Sequence, residues 1–198
     1  MRQTDDIREY KRSLRARCKQ ERATLDEGQK RQLDEAIFAN FLSMREYNEC
    51  RLLLAYVSMD IEVDTHLLID RALSDGKKVA VPYCKTDSHM EFYYINSMDE
   101  LVPSTFGVLE PEPQPERICK AEKLDEAICI VPALCFDCKG YRLGFGKGYY
   151  DRFLSRFSAI SIGLAYSFQM RKSLRKSQYD RPVDIVVTDE KIQRIKTS

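Results

Sequence analysis

The feature that most constrains this chain is a glycine-rich stretch between an apolar run and an amphipathic segment. Four of the eight glycines fall within nine residues, namely Gly140, Gly144, Gly146 and Gly148. The preceding run Ala127–Val131 is apolar and rich in β-branched residues, which predicts a buried strand. After the glycines, aromatic residues and leucine recur at helical spacing up to Phe157. We therefore predict a strand, a glycine loop and a helix.

Such a loop could bind an anion. Glycine has no Cβ and reaches positive φ freely, so backbone N–H groups could lie against a phosphate, and the helix that follows would point its unpaired N–H groups at the same place. Arg142 and Lys147 add cations, and Asp151 adds a carboxylate that could hold a divalent ion. The stretch matches neither the P-loop nor the dinucleotide fingerprint. From these residues alone, a phosphate site and an ordinary turn remain equally open.

Further apolar runs predict the rest of a sheet. They lie at 51–57, 77–82, 90–95, 159–165 and 182–187, with helical patterns between several of them. The first of these runs is apolar on both faces, which is typical of a parallel strand. With a length of 198 residues, this pattern predicts a single α/β domain over 1–198. We expect a Rossmann-like three-layer sandwich with a mostly parallel central sheet and helices on both faces.

Two helices are predicted near the amino terminus. The pairs Asp6–Glu9 and Thr24–Glu27 have the spacing of capping boxes. The first helix carries a basic stripe, and such a stripe more commonly faces solvent. Its members are Arg8, Arg12, Arg15, Lys19 and Arg22.

Composition argues against several classes of protein. The chain has 32 basic and 31 acidic residues, so its net charge of +1 provides no global field for nucleic acid or membrane. No apolar run is long enough to span a bilayer, and the amino terminus lacks the apolar core of a secretory signal. Seven scattered cysteines fit a reducing compartment, so we expect a cytoplasmic protein. Cys135 and Cys138 have C-x-x-C spacing, but no second pair completes a zinc site.

Longer motifs identify a family. The run VPALCFD at 131–137, then Gly140, RLG at 142–144, Gly146 and GYYDRFL at 148–154 strongly resemble the signature of the 5-formyltetrahydrofolate cyclo-ligase family, also called methenyltetrahydrofolate synthetase. KRSLR at 11–15 resembles that family's other ATP-contacting segment. Shorter matches are EVDT at 62–65, FGVLEP at 106–111 and PVD at 182–184. The resemblance covers nearly the whole chain.

The resemblance implies an activity and its cofactors. It implies ATP-dependent conversion of 5-formyltetrahydrofolate to 5,10-methenyltetrahydrofolate, with release of ADP and phosphate. The γ-phosphoryl group would pass to the formyl oxygen, and N10 would then attack the activated carbon. ATP would be the co-substrate, Mg²⁺ the metal, and reduced folate and ATP the partners of a monomer that binds neither nucleic acid nor membrane.

The resemblance also implies residue roles. Arg142, Lys147 and Tyr149 would serve catalysis, and Asp151 and Asp184 would meet at one Mg²⁺. The implied ATP-binding residues are Lys11, Arg15, Arg142, Leu143, Gly144, Phe145, Gly146, Lys147, Gly148, Tyr149 and Tyr150, with Arg12 a further candidate. The implied folate-binding residues are Val57, Glu62, Phe145, Gly146, Lys147, Gly148 and Tyr149.

Helical spacing separates the two tyrosines. Tyr150 shares a face with Phe153, which predicts a core position, whereas Tyr149 is the better candidate to stack on the folate ring. Met90 resembles a position that lines the folate site in the family, although a methionine there is more often core.

Two other functional classes remain as alternatives. A sugar-phosphate isomerase or CoA-transferase-like enzyme on a similar α/β sheet would also use a glycine loop, but it would not explain two ATP-like segments. An RNA- or DNA-binding module could use the basic first helix, but the balanced net charge argues against it.

Overall fold

The structure is a computed structural model, and it describes residues 2–86, 89–104, 107–120 and 126–195. Phe106, which belongs to one of the matching motifs, lies outside these residues. The helices are α1 (Arg2–Ala23), α2 (Glu27–Leu42), α3 (Arg45–Glu49), α4 (His66–Ser74) and α5 (Tyr149–Leu154). The strands are β1 (Leu52–Leu54), β2 (Lys78–Thr86), β3 (His89–Ile95), β4 (Leu101–Pro103), β5 (Leu109–Pro111), β6 (Ile118–Cys119), β7 (Ala127–Val131), β8 (Cys135–Asp137), β9 (Arg142–Leu143), β10 (Ile160–Leu164), β11 (Met170–Arg171), β12 (Ile185–Val187) and β13 (Ile192–Arg194).

An eight-stranded sheet forms the centre of the fold. Its order is β13-β12-β10-β7-β1-β2-β3-β6. The five strands from β12 to β2 run parallel to one another, and β13, β3 and β6 add antiparallel edges. The strand β7 is buried at every position, in agreement with its continuous apolar sequence.

Helices cover both faces of this sheet. On one face, Phe41 of α2, Tyr47 of α3 and Ile69 of α4 pack in a common core with β1, β2, β7, β10 and β12. On the other face, Phe153 of α5 and Phe136 of β8 pack against the alternate positions of the same strands. These three layers confirm the predicted α/β class and its mostly parallel sheet.

A second sheet, β11-β8-β9, supports the glycine loop. It is antiparallel between β8 and β9, and the glycine loop begins with the two residues of β9. The helix α1 packs on this sheet, where Cys18 meets Leu134, Cys135 and Leu143 in a small buried cluster. The chain's first helix is thereby held beside a loop that lies more than 120 residues further on, since Arg15 bonds to Gly144 across a separation of 129 residues.

Three helix boundaries differ from prediction. The helix α1 begins at Arg2, so Asp6 lies within it and the predicted Asp6–Glu9 cap does not open it. The cap of α2 is Asp26, whose side chain accepts the Gln29 N–H, and the predicted Thr24–Glu27 box does not form. Thr24 instead donates its hydroxyl to the Glu21 carbonyl at the end of α1. The helix α5 ends at Leu154, before the predicted last apolar position. Across the described residues, no helix has both the length and the apolar composition that a bilayer crossing requires.

Candidate active site

A cavity of about 870 Å³ lies at the carboxyl ends of β1 and β7. Tyr56 and Val57, which follow β1, and Pro132, which follows β7, form part of its wall. The strands β1 and β7 are neighbours in the sheet, and the next parallel strands after them, β2 and β10, lie in opposite directions along the strand order. Ligands of open α/β sheets bind at such a switch point. The rest of the wall comes from α1, β2, β3, β5, residues 142–152 and residues 179–181. The volume is typical of small-molecule sites.

The glycine loop (residues 142–148) forms one side of this pocket. Gly146 has a φ of 109° and Gly148, the N-cap of α5, a φ of 71°, both in the region that favours glycine. A Cβ on Gly146 would lie 3.3 Å from Cζ of Arg15, whereas one on Gly144 would meet no atom within 4 Å. Leu143 is buried in β9 and Phe145 is half exposed at the rim. The prediction of an open backbone turn at this place is confirmed.

The helix α1 brings two cations to the loop. Lys11 Nζ lies 2.5 Å from Oδ2 of Asp180, and Arg15 Nε donates to the Gly144 carbonyl at 2.9 Å. Burial alone would raise the pKa of Asp180, but the hydrogen bonds from Lys11 and from the Ser177 backbone lower it. Arg12 lies outside the pocket wall and is exposed. The structure therefore brings Lys11 and Arg15 to the predicted phosphate site and leaves Arg12 in solvent.

Arg142 is the most deeply buried cation of the pocket, with 4% of its side chain exposed. Its Nη2 donates to Oδ1 of Asp151 at 2.9 Å, and its Nη1 donates to the Arg181 carbonyl at 2.6 Å. Burial lowers the pKa of Arg142, and the neighbouring Asp151 opposes this effect. Since arginine stays protonated in proteins, the loop begins with a fixed positive charge.

Asp184 is not brought to the pocket wall together with Asp151. It directly precedes β12, and its Oδ2 accepts the backbone N–H of Ser161 at 2.8 Å and the Ser161 hydroxyl at 2.6 Å. The described part of the chain holds no group of three or more His, Cys, Asp or Glu side chains placed to bind a metal. Asp184 does not line the cavity, so its sharing of one ion with Asp151 stays a prediction.

Glu62 also lines the pocket. It is 5% exposed, and its Oε2 accepts the Met59 N–H at 3.0 Å. Burial raises the pKa of Glu62, and that backbone hydrogen bond and the charge of Arg22 reduce the rise. The buried Val57 lies beside it in the same wall. Val57 and Glu62, which were both predicted to contact folate, therefore line the cavity.

Arg22 connects the pocket wall next to Glu62 with the loop after β7. It is 5% exposed, although its stripe predicted a solvated face. Its guanidinium donates to the Ile61 carbonyl at 2.9 Å and also to the carbonyl of Ala133. These bonds fix the loop after β1 to the loop after β7. No local pattern indicated this role beyond the position of Arg22 at the end of α1.

The two tyrosines at the start of α5 occupy different environments. The Arg152 guanidinium lies 5.5 Å from the centre of the Tyr149 ring, at the pocket side of the helix. The Tyr150 hydroxyl is inaccessible to solvent and has no hydrogen-bond partner among the described residues, while its ring forms part of the pocket wall. Lys147 is exposed at the rim. Tyr150 is thus partly core, as its helical face predicts, and partly site.

Several wall residues were not predicted as site residues. Glu110, Cys84 and Met90 form the wall contributed by β5, β2 and β3, and Tyr179 and Asp180 close the side next to Lys11. Met90 resembles a folate-lining position of the family. Glu110 stands in the matching FGVLEP motif, which was the available signal.

Comparisons with known proteins identify the family of this chain. The model of the 5-formyltetrahydrofolate cyclo-ligase family matches residues 7–189. A probable 5-formyltetrahydrofolate cyclo-ligase of Schizosaccharomyces pombe is 30% identical, with the alignment covering 80% of this chain and 85% of the relative. The mitochondrial 5-formyltetrahydrofolate cyclo-ligase of Arabidopsis thaliana is 31% identical over 93% of this chain and 76% of its own.

A solved structure has the same fold. The 5,10-methenyltetrahydrofolate synthetase of Aquifex aeolicus superposes with a TM-score of 0.82 at 32% identity, covering 95% of this chain and 94% of that protein. These matches favour the predicted family over the isomerase, CoA-transferase and nucleic-acid-binding alternatives. With the family model matched across the strands, the glycine loop and the residues of α1 that reach it, the chain belongs to the 5-formyltetrahydrofolate cyclo-ligase family.

Proposed function

We propose that the pocket between the glycine loop and Glu62 is where this chain performs the reaction of its family. That reaction is the ATP-dependent conversion of 5-formyltetrahydrofolate to 5,10-methenyltetrahydrofolate. The observation that carries the assignment is the set of charged groups that one cavity brings together. Arg15, Lys11 and Arg142 line it with the loop backbone, and the buried carboxylate of Glu62 lines it as well.

The cationic residues suit a triphosphate. Phosphoryl transfer needs alignment and neutralisation of charge more than it needs a strong base. Arg142 is held by Asp151 and the Arg181 carbonyl, so it would present a fixed charge to the phosphates. Lys11 and Arg15 would approach the same phosphates from α1, and the backbone N–H groups of 144–148 would complete the contact. Lys147 at the rim would add a further positive charge, but the backbone N–H groups of the loop would contact the phosphates without it.

The residues present also fit a magnesium ion. Mg²⁺ is usually held by one or two carboxylates together with substrate phosphates and water. The Arg142 guanidinium and the Arg181 N–H both donate to Oδ1 of Asp151, and its side chain is 29% exposed. Asp151 would hold the ion, and Asp184, whose bonds to Ser161 both use Oδ2, would be a second ligand. When bound, the ion would neutralise charge on the phosphates during transfer.

The carboxylate of Glu62 suits the pterin. The amino-pyrimidine edge of a reduced folate offers neighbouring N–H donors, which one carboxylate can accept together. Glu62 is fixed by the Met59 N–H and lies beside the buried Val57, so it would provide an oriented acceptor in an apolar wall. Tyr149 would stack on the folate ring from the start of α5.

The reaction then follows in two steps. The formyl oxygen attacks the γ-phosphorus, the bond to the β-phosphate oxygen breaks, and ADP leaves. N10 next attacks the activated formyl carbon, loses its proton, and the carbon–oxygen bond breaks to release phosphate. The role of Arg142, Lys11 and Arg15 is to hold the γ-phosphate in line with the formyl oxygen, within about 3–3.5 Å.

We also infer that the catalytic unit is one chain and one domain, because one chain supplies an entire pocket wall from α1 to residues 179–181. A cytoplasmic location is supported by the seven cysteines, each of which is a free thiol.

An isotope experiment tests the proposed reaction. Substrate labelled with ¹⁸O in the formyl group is converted by the protein with MgATP, and the released phosphate is analysed by mass spectrometry. We expect one labelled oxygen in the phosphate for each methenyltetrahydrofolate formed. Unlabelled phosphate would contradict transfer to the formyl oxygen.

The variant Asp151→Asn tests the magnesium assignment. We expect it to fold and to need a higher Mg²⁺ concentration for half-maximal rate, since a carboxylate ligand is lost. Asp70→Asn, an exposed position on α4, is the matched control. An unchanged Mg²⁺ requirement in Asp151→Asn would remove Asp151 from the metal site.

A further inference from the structure

Four carboxylates line the pocket among the described residues, and one of them differs from the rest. Asp180 is paired with a lysine, Asp151 is paired with an arginine, and Glu62 is buried against a backbone N–H. Glu110 forms no ion pair with a described cation. Its Oε1 accepts a long hydrogen bond from the Cys84 N–H at 3.4 Å, and the Cys84 thiol is its other partner, so the carboxylate keeps free acceptor positions.

The position of Glu110 places it beside the proposed folate site. The Cys84 thiol contacts both Glu110 and Tyr149, the residue proposed to stack on folate. Burial raises the pKa of Glu110, so its carboxylate is a stronger base than one in water. Burial also raises the pKa of Cys84 to about 11, which keeps the thiol protonated and unsuited to accept a proton at neutral pH.

One step of the proposed reaction, the removal of the N10 proton, has no residue assigned to it so far. When N10 forms its bond to the activated carbon, its N–H bond must break before phosphate departs and the amidinium product forms. Glu62 is committed to the pterin edge in this scheme, and Asp151 and Asp180 are neutralised by their cations on the phosphate side. A positioned general base typically accelerates such a step by about 10²- to 10⁴-fold.

We propose that Glu110 is the base that accepts the N10 proton during ring closure. In this step the N10–carbon bond forms, the N10–H proton moves to a Glu110 oxygen, and the carbon–oxygen bond then breaks with its electron pair leaving on phosphate. The proton passes from Glu110 to solvent after product release. The assignment rests on the proposed function, because it takes that pocket as the site of the reaction.

A single-turnover experiment on Glu110→Gln separates the two steps. ADP and methenyltetrahydrofolate are followed by rapid quench after mixing the variant with MgATP and 5-formyltetrahydrofolate. We expect one equivalent of ADP to appear at close to the wild-type rate, while methenyltetrahydrofolate forms about 10²-fold more slowly. The amide oxygen of glutamine can still accept the Cys84 N–H, so the wall is preserved. Equal slowing of both products, or no slowing of either, would overturn the proposal.

Two controls distinguish a base from a packing residue. Glu112→Gln, two residues further on and exposed, should match the wild type in both products. Glu110→Ala with added formate should regain methenyltetrahydrofolate formation in proportion to the formate concentration, because the small acid can occupy the vacated space. Failure of formate to raise that rate would assign the effect to packing and overturn the proposal. The wild type must first pass the ¹⁸O experiment, since failure there refutes the proposed function itself.

Discussion

The substitution Gly146→Ala tests the phosphate site through backbone geometry. Gly146 has a φ of 109°, and a Cβ there would lie 3.3 Å from both Cζ and Nη2 of Arg15. An alanine held in that conformation is strained by about 1–3 kcal/mol. Arg15 would also have to move by a few tenths of an ångström from its contact with the loop. The loop that binds ATP in our proposal could then form only at this free-energy cost.

The cost should appear in ATP binding rather than in folding. Residues 145–147 are exposed, so in the free protein the substituted loop can relax without disturbing the core. Restoring the native loop around the phosphates then weakens ATP binding by the strain energy, which corresponds to a rise of about 5- to 150-fold in KM for ATP. The KM for 5-formyltetrahydrofolate should change far less.

Initial rates of methenyltetrahydrofolate formation at varied ATP measure this effect, with thermal unfolding measured in parallel. The matched control is Gly76→Ala at the end of α4, where φ is 76° and no atom lies within 4 Å of the added Cβ. It should lower stability by about 1 kcal/mol and leave the KM for ATP unchanged, because the same kind of strain lies outside the pocket wall. A normal KM for ATP in Gly146→Ala would refute the reasoning.

Three further predictions concern the buried side chains of the site and its support. Tyr150→Phe should raise the unfolding free energy by up to about 1 kcal/mol, since its hydroxyl is buried without a partner among the described residues. Tyr56→Phe should lower the unfolding free energy by about 1 kcal/mol, because that hydroxyl donates to a backbone carbonyl. Urea unfolding measures both variants, and equal losses of stability would contradict the assignment. Burial raises the pKa of Glu62 in the folded protein, so its contribution to stability is lost as pH rises from the ordinary value of 4.5 through the raised pKa. Glu62→Gln should therefore flatten stability over that pH range and weaken folate binding in calorimetry; an unchanged pH dependence would exclude this cause. Gly163→Ala should lower the unfolding free energy by about 1–3 kcal/mol, because its Cβ would lie 2.3 Å from the Phe136 ring; wild-type stability would show that the ring can move aside.

Local patterns predicted the layers of the fold well. Apolar runs such as Ala127–Val131 can be satisfied only by burial on both faces, so their sequence determines a parallel central strand. Helix boundaries were less determined. The pairs Thr24–Glu27 and Asp26–Gln29 both have capping-box spacing, and the second forms because Thr24 instead donates its hydroxyl back to α1. Two overlapping signals of similar energy cannot be ranked from the sequence.

The residues of the candidate site could be predicted only where they stand in a family motif. The positions of the other wall residues depend on tertiary contacts between distant parts of the chain. Glu110 was not predicted as a site residue, because nothing local indicates that β5 folds back toward Cys84. Arg22 looked solvated, because its carbonyl partners lie about 40 and 110 residues away along the chain. The family signature identified the glycine loop and Asp151, whereas Asp184 was linked to Asp151 by resemblance alone.

The most direct test of the account is a crystal structure of the protein with a non-hydrolysable ATP analogue, Mg²⁺ and 5-formyltetrahydrofolate. We predict the γ-phosphate against the backbone of 144–148, with Arg142 and Arg15 in contact with the triphosphate. The pterin should lie on Glu62, and the formyl oxygen should lie within about 3–3.5 Å of the γ-phosphorus. A glycine loop without phosphate, with the triphosphate bound elsewhere, would contradict the central claim.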